Sequence, residues 1–327
     1  MTAIDRADLV EAARRSIVTG SQSFAAASTL FSHTTRERVW LLYCWCRAAD
    51  DMTDGQDMGH GGGADHDARV GQARLAALTG AALRGRGREA LPLPFMALRQ
   101  LAAETAIPRF LIDDHLAGFA LDAQDWQPGS LDDLLRYCYH VAGSVGCLMA
   151  LIMGVSADDT DTLDRACDLG IAFQLANIAR DIVPDARSGR CYIPRTWLAE
   201  CGLSPALTAD PANRAALAAI ASRLVMMARP YRASAKVGAM RLPGRSRLAI
   251  LAAEAIYGAI GEKVLRRGVR AWDERVRVPS YRKIAYVARA VISCGVKPPP
   301  APRDHLWQRP RHSSADAGGE AGPRSRA

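Results

Sequence analysis

Two stretches of the chain place acids and amides where they could do chemistry together. In "YCWCRAADDMTD" (43–54), Tyr43, Arg47, Asp50 and Asp54 are spaced 4, 3 and 4 residues apart. At helical pitch these positions share one face, whereas Asp51 falls about 100° away from Asp50. In "FQLANIARDIVPDARSGRCYIP" (173–194), Gln174, Asn177, Asp181 and Asp185 follow at spacings 3, 4 and 4, with Arg180 beside Asp181. Carboxylates one turn apart repel by a few tenths of a kcal/mol, so neither pair favours stability by itself. A hard divalent cation reverses that cost, and Mg²⁺ in particular takes oxygen ligands and shares its shell with substrate phosphates. Arginines beside the acids suit the same phosphates. Two such stripes on separate helices fit removal of diphosphate from an allylic carbon, with metal as Lewis acid and aromatic faces near the resulting cation. The competing readings are a solvated acidic helix end for the first stripe and a buried structural polar cluster for the second.

The second stripe is apolar or small upstream, at Leu163, Ala166, Cys167 and Gly170. A face that passes from core-like to amide and carboxylate describes a helix entering a polar cavity, since burying such groups unpaired costs several kcal/mol. Pro184 interrupts the pattern and sets Asp185 past an expected kink.

The elements that must carry these residues read as helices throughout. Apolar positions recur at helical spacing over 5–18, 22–31, 34–54, 66–84, 93–105, 108–121, 131–153, 160–183, 195–200, 211–238, 245–267 and 280–294, with no sustained strand alternation. Ser130 with Asp133 reads as a capping box, and Gly154, Gly202 and Gly268 as helix stops. The expectation is a single all-α domain over residues 1–297, followed by a disordered Pro/Arg-rich tail over 298–327 with little to bury.

Composition bounds the rest. The 327 residues carry a net charge of +8, which favours an anionic partner. The eight cysteines are scattered with no Cys-x-x-Cys pair, and "MTAIDRADLVEAARR" has charges where a secretory leader would be apolar. The expectation is a cytoplasmic protein with reduced thiols. The apolar run over 145–157 is short for a bilayer span and reads as a core helix. A basic helical protein bound to membrane or nucleic acid through its tail is the alternative class. It would tolerate Asp50→Asn and Asp181→Asn but not loss of residues 298–327.

The motifs resemble the squalene/phytoene synthase family, most closely its bacterial phytoene-synthase branch. The matching pieces, in family order, are "GSQSF" (20–24), the two acidic stretches, "YCYHVAGSVG" (137–146), "AIYGAIGEKVLRRG" (255–268) and "RAWDERVRVP" (270–279). The resemblance implies an isoprenoid-synthase helical bundle around a central cavity. It implies head-to-head condensation of two geranylgeranyl diphosphates, through prephytoene diphosphate, to phytoene in carotenoid biosynthesis. The alternative within the family is dehydrosqualene or squalene from farnesyl diphosphate. Carried over by position, Asp50, Asp54, Asn177, Asp181 and Asp185 would hold Mg²⁺ (or Mn²⁺). Ser21, Ser23, Arg47, Gln174, Arg180 and Arg275 would bind substrate, and Tyr43, Tyr139 and Tyr257 would line the reacting centre. Gln22 departs from the family, where many members have lysine. Small residues Ala142, Gly143 and Gly146 serve either close helix packing or room for a long isoprenoid chain. No NADPH is implied for phytoene, nor any nucleic acid. The implied partners are isoprenoid diphosphates, an anionic membrane surface touched peripherally, and other enzymes of the carotenoid pathway.

Overall fold

The protein is described by a computed structural model over residues 4–54, 67–84, 90–124 and 126–312; the side chains of Gln22, Ser23 and Asp54 fall outside the described set. Among the described residues regular structure is helical throughout. The elements are α1 (Arg6–Gly20), α2 (Gln22–Ser28), α3 (His33–Asp54), α4 (Ala68–Arg84), α5 (Leu93–Glu104), α6 (Arg109–Asp122) and α7 (Leu131–Cys138). They continue with α8 (Ser144–Ile152), α9 (Thr160–Arg187), α10 (Arg195–Glu200), α11 (Arg214–Ala239), α12 (Gly244–Arg267) and α13 (Ser280–Cys294).

Helix α9 is the axis of the bundle and packs against α8, α11 and α12, while α3 packs against α1, α4 and α5. The start of α9 is fixed by Asp159, whose side chain accepts from Thr162 N at 3.1 Å. The helix runs through Pro184 to Arg187, so Asp185 sits on the same helix as Asp181. Pro184 costs one backbone bond there, and only the last turn follows it.

The segment expected as one helix over 131–153 is three pieces. The predicted capping box opens it: Ser130 Oγ accepts from Asp133 N at 3.2 Å, and Asp133 Oδ2 from Ser130 N at 2.9 Å. A π-helical turn, Tyr139–Gly143, then separates α7 from α8. Such a turn advances the chain by one residue and rotates all that precedes it relative to an unbroken α-helix. The run Leu131–Ile152 is long and apolar enough to span a membrane by length and composition, yet 61% of its window is buried inside the bundle. It is a core helix, as expected of the apolar run over 145–157 that overlaps it.

Close approach explains two glycines. A Cβ at Gly170 would lie 2.2 Å from Ala142 O, and one at Gly146 would lie 2.3 Å from Ala166 O. Both sit where α9 crosses α8 and the π turn. The helix stops at Gly154, Gly202 and Gly268 all have positive φ. All eight cysteines are free thiols.

The expected disordered tail is corrected over 298–312. Leu306 and Arg309 are buried. Arg303 donates to Asp168 at 2.7 and 2.9 Å and to Asp164 at 2.9 Å. Arg309 and Arg311 also bond Asp164, and Trp307 Nε1 donates to Asp132 at 2.9 Å. Composition registers how little apolar surface a Pro/Arg segment can bury, but not that its arginines meet buried carboxylates elsewhere. Residues 313–327 lie outside the described set.

Candidate active site

The bundle encloses a cavity of about 1130 Å³. Along α9 the lining begins at Thr162 and ends beyond Asp185, a wall roughly 35 Å long at 1.5 Å per residue. Its character changes as the sequence pattern implied, from Ala166, Leu169 and Gly170 to Asn177, Asp181 and Asp185. From α3 the lining residues are Tyr43, Cys46, Arg47 and Asp50, which include three of the four residues of the predicted stripe. The two acidic motifs therefore serve one cavity.

Arg47 is fixed by both neighbouring acids. Its Nη1 lies 3.1 Å from Asp50 Oδ2, and its Nη2 donates to Asp51 Oδ1 at 2.6 Å. Asp51 also lines a smaller pocket behind Arg47, consistent with its different helix face. It steadies the arginine while Asp50, about half exposed, opens to the cavity.

On α9, Arg180 forks onto Asp181, with Nε 2.9 and 3.0 Å from the two carboxylate oxygens, and Arg275 Nη2 lies 3.8 Å from Asp181 Oδ2. Asp185 is pushed up to about 7 by burial and then by Asp181, against the opposing pull of Arg190 and Arg180. Burial thus makes a full negative charge on Asp185 costly, a cost that a bound cation would offset. Its donors, with Asn177, are all oxygen, which fits a hard cation such as Mg²⁺ and not a thiolate- or imidazole-seeking metal. Among the described residues no three His, Cys, Asp or Glu side chains converge closely enough to hold a metal alone. The fit is therefore for a cation that completes its shell with substrate oxygens.

The remaining predicted residues divide. Tyr257 lines the cavity stacked on Phe173 at 4.1 Å, and Gln174 accepts from Asn177 Nδ2 at 3.4 Å. Tyr43 packs near Phe24 at 5.8 Å, and burial pushes its phenol up to about 12. Ser21 is not in the lining; it caps α2, accepting from Phe24 N at 3.3 Å, and so sets the helix that carries Phe24 to the cavity. Ser23 and Asp54 lie outside the described side chains.

Tyr139 is a correction. It is fully buried away from the cavity, donates to Asp114 and packs near Trp307 at 5.5 Å. Tyr137 takes the cavity position instead. In an unbroken α-helix Tyr139 would share a face with Ala142 and Gly146; the π turn shifts that face so that Tyr137, five residues before Ala142, comes into line. Tyr137 donates to Asp122 at 3.0 Å, Tyr192 donates to the same carboxylate at 3.0 Å, and their rings stack at 4.9 Å. Asp122, Tyr192 and Arg190 were not singled out from sequence. Asp122 lies outside both acidic stripes, although Tyr192 and Arg190 both fall within the quoted "GRCYIP".

A family profile described as squalene/phytoene synthase matches residues 17–282. The chain is 47% identical to the 15-cis-phytoene synthase of Enterobacter agglomerans over 296 residues, covering 89% of this chain and 99% of that one. The chain belongs to the squalene/phytoene synthase family. A second relative, the 15-cis-phytoene synthase of Pantoea ananas, is 45% identical and covers 92% of this chain and 98% of its own. Among solved structures, a dehydrosqualene synthase in complex with ligand superposes with TM-score 0.76 at 24% identity, over 87% of this chain and 96% of that one. Squalene synthase HpnC from Alicyclobacillus acidocaldarius gives TM-score 0.70 at 21% identity, over 82% and 97%. At these identities the two structures establish a shared fold, the all-helical isoprenoid-synthase bundle.

Proposed function

We propose that this family member condenses two geranylgeranyl diphosphates head to head, through prephytoene diphosphate, to phytoene, with Mg²⁺ as cofactor. The carrying observation is that both acidic stripes line one cavity whose remaining walls are largely apolar and aromatic. The choice of phytoene over shorter products is supported by relatives 42–47% identical that bear the name 15-cis-phytoene synthase.

Asp50, Asn177, Asp181 and Asp185, with Asp54, would hold the cation, which supplies Lewis-acid charge to the leaving diphosphate. Arg47, steadied by Asp51, and Arg180, Arg190 and Arg275 bind the diphosphate oxygens. When diphosphate arrives, Arg180 and Arg275 exchange part of their hold on Asp181 for phosphate. The stacked Phe173–Tyr257 pair and the Phe24–Tyr43 pair offer ring faces to the carbocation. With its phenol pushed up to about 12, Tyr43 stays protonated at neutral pH and acts as a hydrogen-bond partner rather than a phenolate base. Apolar walls along α8 and the first half of α9 keep water from the cation.

Residues 1–297 form the catalytic domain in this reading, with 298–312 strapped to it. The lipid substrate and product and the net charge of +8 support peripheral association with an anionic membrane face from the cytoplasm, alongside other carotenoid-pathway enzymes. Purified protein incubated with Mg²⁺ and either geranylgeranyl or farnesyl diphosphate, with and without NADPH, decides the reaction. Phytoene from geranylgeranyl diphosphate without NADPH is expected. A C30 hydrocarbon alone, or no product from geranylgeranyl diphosphate, contradicts the proposal.

A further inference from the structure

Helix α13 lies on α12 with Ala290 buried and with Val287 and Cys294 packed against Leu251 and Ala252. Its outward face is apolar as well. Tyr281, Ile284 and Ile292 are 68%, 72% and 71% exposed, and Val291 and, just past the helix, Val296 are 56% and 59% exposed. With Ala288 between them, these positions follow at three- and four-residue steps and form one stripe. Of the eleven large hydrophobics exposed among the described residues, five belong to this one segment, so they form a patch and not a scatter.

The charge around the stripe is one-sided. From Arg275 to Arg303 the chain has seven Lys and Arg residues and no Asp or Glu. Arg282 and Arg289, one heptad apart, are exposed along the flank of the stripe. An apolar face flanked by arginines, on a helix lying flat against the body, has the chemistry of a segment that rests at the boundary of headgroups and acyl chains. A second copy of this chain fits less well, because a twofold contact through the same face brings like-charged arginine flanks together.

We propose that the outward face of α13 is the surface on which the protein lies against an anionic lipid bilayer. Ile284, Ile292 and Tyr281 enter the acyl boundary, and Arg282 and Arg289 meet lipid phosphates. This rests on the peripheral-membrane reading above and assigns the face that performs it, on helices outside the acidic motifs.

The test is flotation of the full chain with phosphatidylcholine vesicles containing 30% phosphatidylglycerol, against pure phosphatidylcholine, at low and high salt. Wild type is expected to float with the anionic vesicles, less so in high salt, and to partition at least tenfold more weakly as Ile284→Glu/Ile292→Glu. Arg282→Glu/Arg289→Glu should lose the salt-sensitive part. Both variants replace exposed residues, and unchanged melting and unchanged turnover of detergent-dispersed substrate check that they fold. If wild type floats and the Ile284→Glu/Ile292→Glu variant floats equally, another face docks and this assignment is overturned while membrane association stands. If wild type floats on neither vesicle, the membrane reading itself fails. Equal flotation on neutral and anionic vesicles overturns the role given to the arginines. A wild-type dimer that the same variant converts to monomer without vesicles assigns the stripe to self-association instead.

Discussion

Helix α9 carries two Asp-x-x-x-Asp pairs of identical spacing, and different parts of the chain pack over them. Asp164 and Asp168 point about 100° around the helix from Asp181 and Asp185. The first pair is sealed under the C-terminal strap. Burial alone would raise Asp164, but Arg311, Arg309 and Arg303 together bring it below its ordinary value. Asp168, fully buried, is bonded by Arg303 and by the Ser234 hydroxyl, and burial still holds it above its ordinary value against their pull. The second pair faces the cavity, where Asp185 is pushed up to about 7 by burial and Asp181. One pair is closed by arginines of the C-terminal strap; the other lines the cavity, where the proposed function puts a cation and its substrate. Spacing supplies the ligand geometry, and what packs over each pair decides its use.

The comparison breaks most readily at the two charges themselves. Asp181→Asn should lower turnover per folded molecule on the order of 10²–10³-fold, by steady-state assay, with little change in melting temperature. Arg303→Ala should do the reverse: it leaves Asp168 buried without its guanidinium and costs about 3–5 kcal/mol by denaturant unfolding, while folded enzyme keeps its turnover. If Arg303→Ala abolishes turnover in protein shown to be folded, the division between the pairs is wrong. Gly170→Ala, between the two pairs, should cost about 1–3 kcal/mol because its Cβ meets the Ala142 carbonyl at 2.2 Å. Unchanged unfolding would show that the helices separate more easily than this packing implies. The smallest effects sharpen the boundary between site and strap. Tyr137→Phe and Tyr139→Phe should each cost about 1 kcal/mol in stability. Only Tyr137→Phe, on the Asp122 side of the cavity, should alter turnover or product pattern; an equal effect from Tyr139→Phe would place the strap side in the reaction.

Much of this was legible in the sequence because period and spacing are local. The helix ranges follow the apolar rhythm, and Arg47, Asp50, Asn177 and Asp181 fall on faces that the pitch alone defines. What was hidden depends on contacts between distant residues or on a break in the pitch. The resemblance points to Tyr139, and nothing in "YCYHVAGSVG" announces the π turn that accompanies Tyr137 in the cavity lining. Asp122 became visible only through Tyr137 and Tyr192, which reach it from 15 and 70 positions away. The strap looked unstructured because its partners, Asp164 and Asp168, lie more than 130 positions upstream. By spacing alone, Asp164 and Asp168 could have been nominated as a metal pair.

The central claim is that the cavity-facing pair, and not its covered counterpart, holds cation and diphosphate. Calorimetric titration of Mg²⁺ into protein saturated with a non-ionising thiodiphosphate analogue of geranylgeranyl diphosphate tests it directly. Wild type and Asp168→Asn, if folded, should bind Mg²⁺ alike, and Asp181→Asn should lose most of that binding. Undiminished Mg²⁺ binding by Asp181→Asn would contradict the claim.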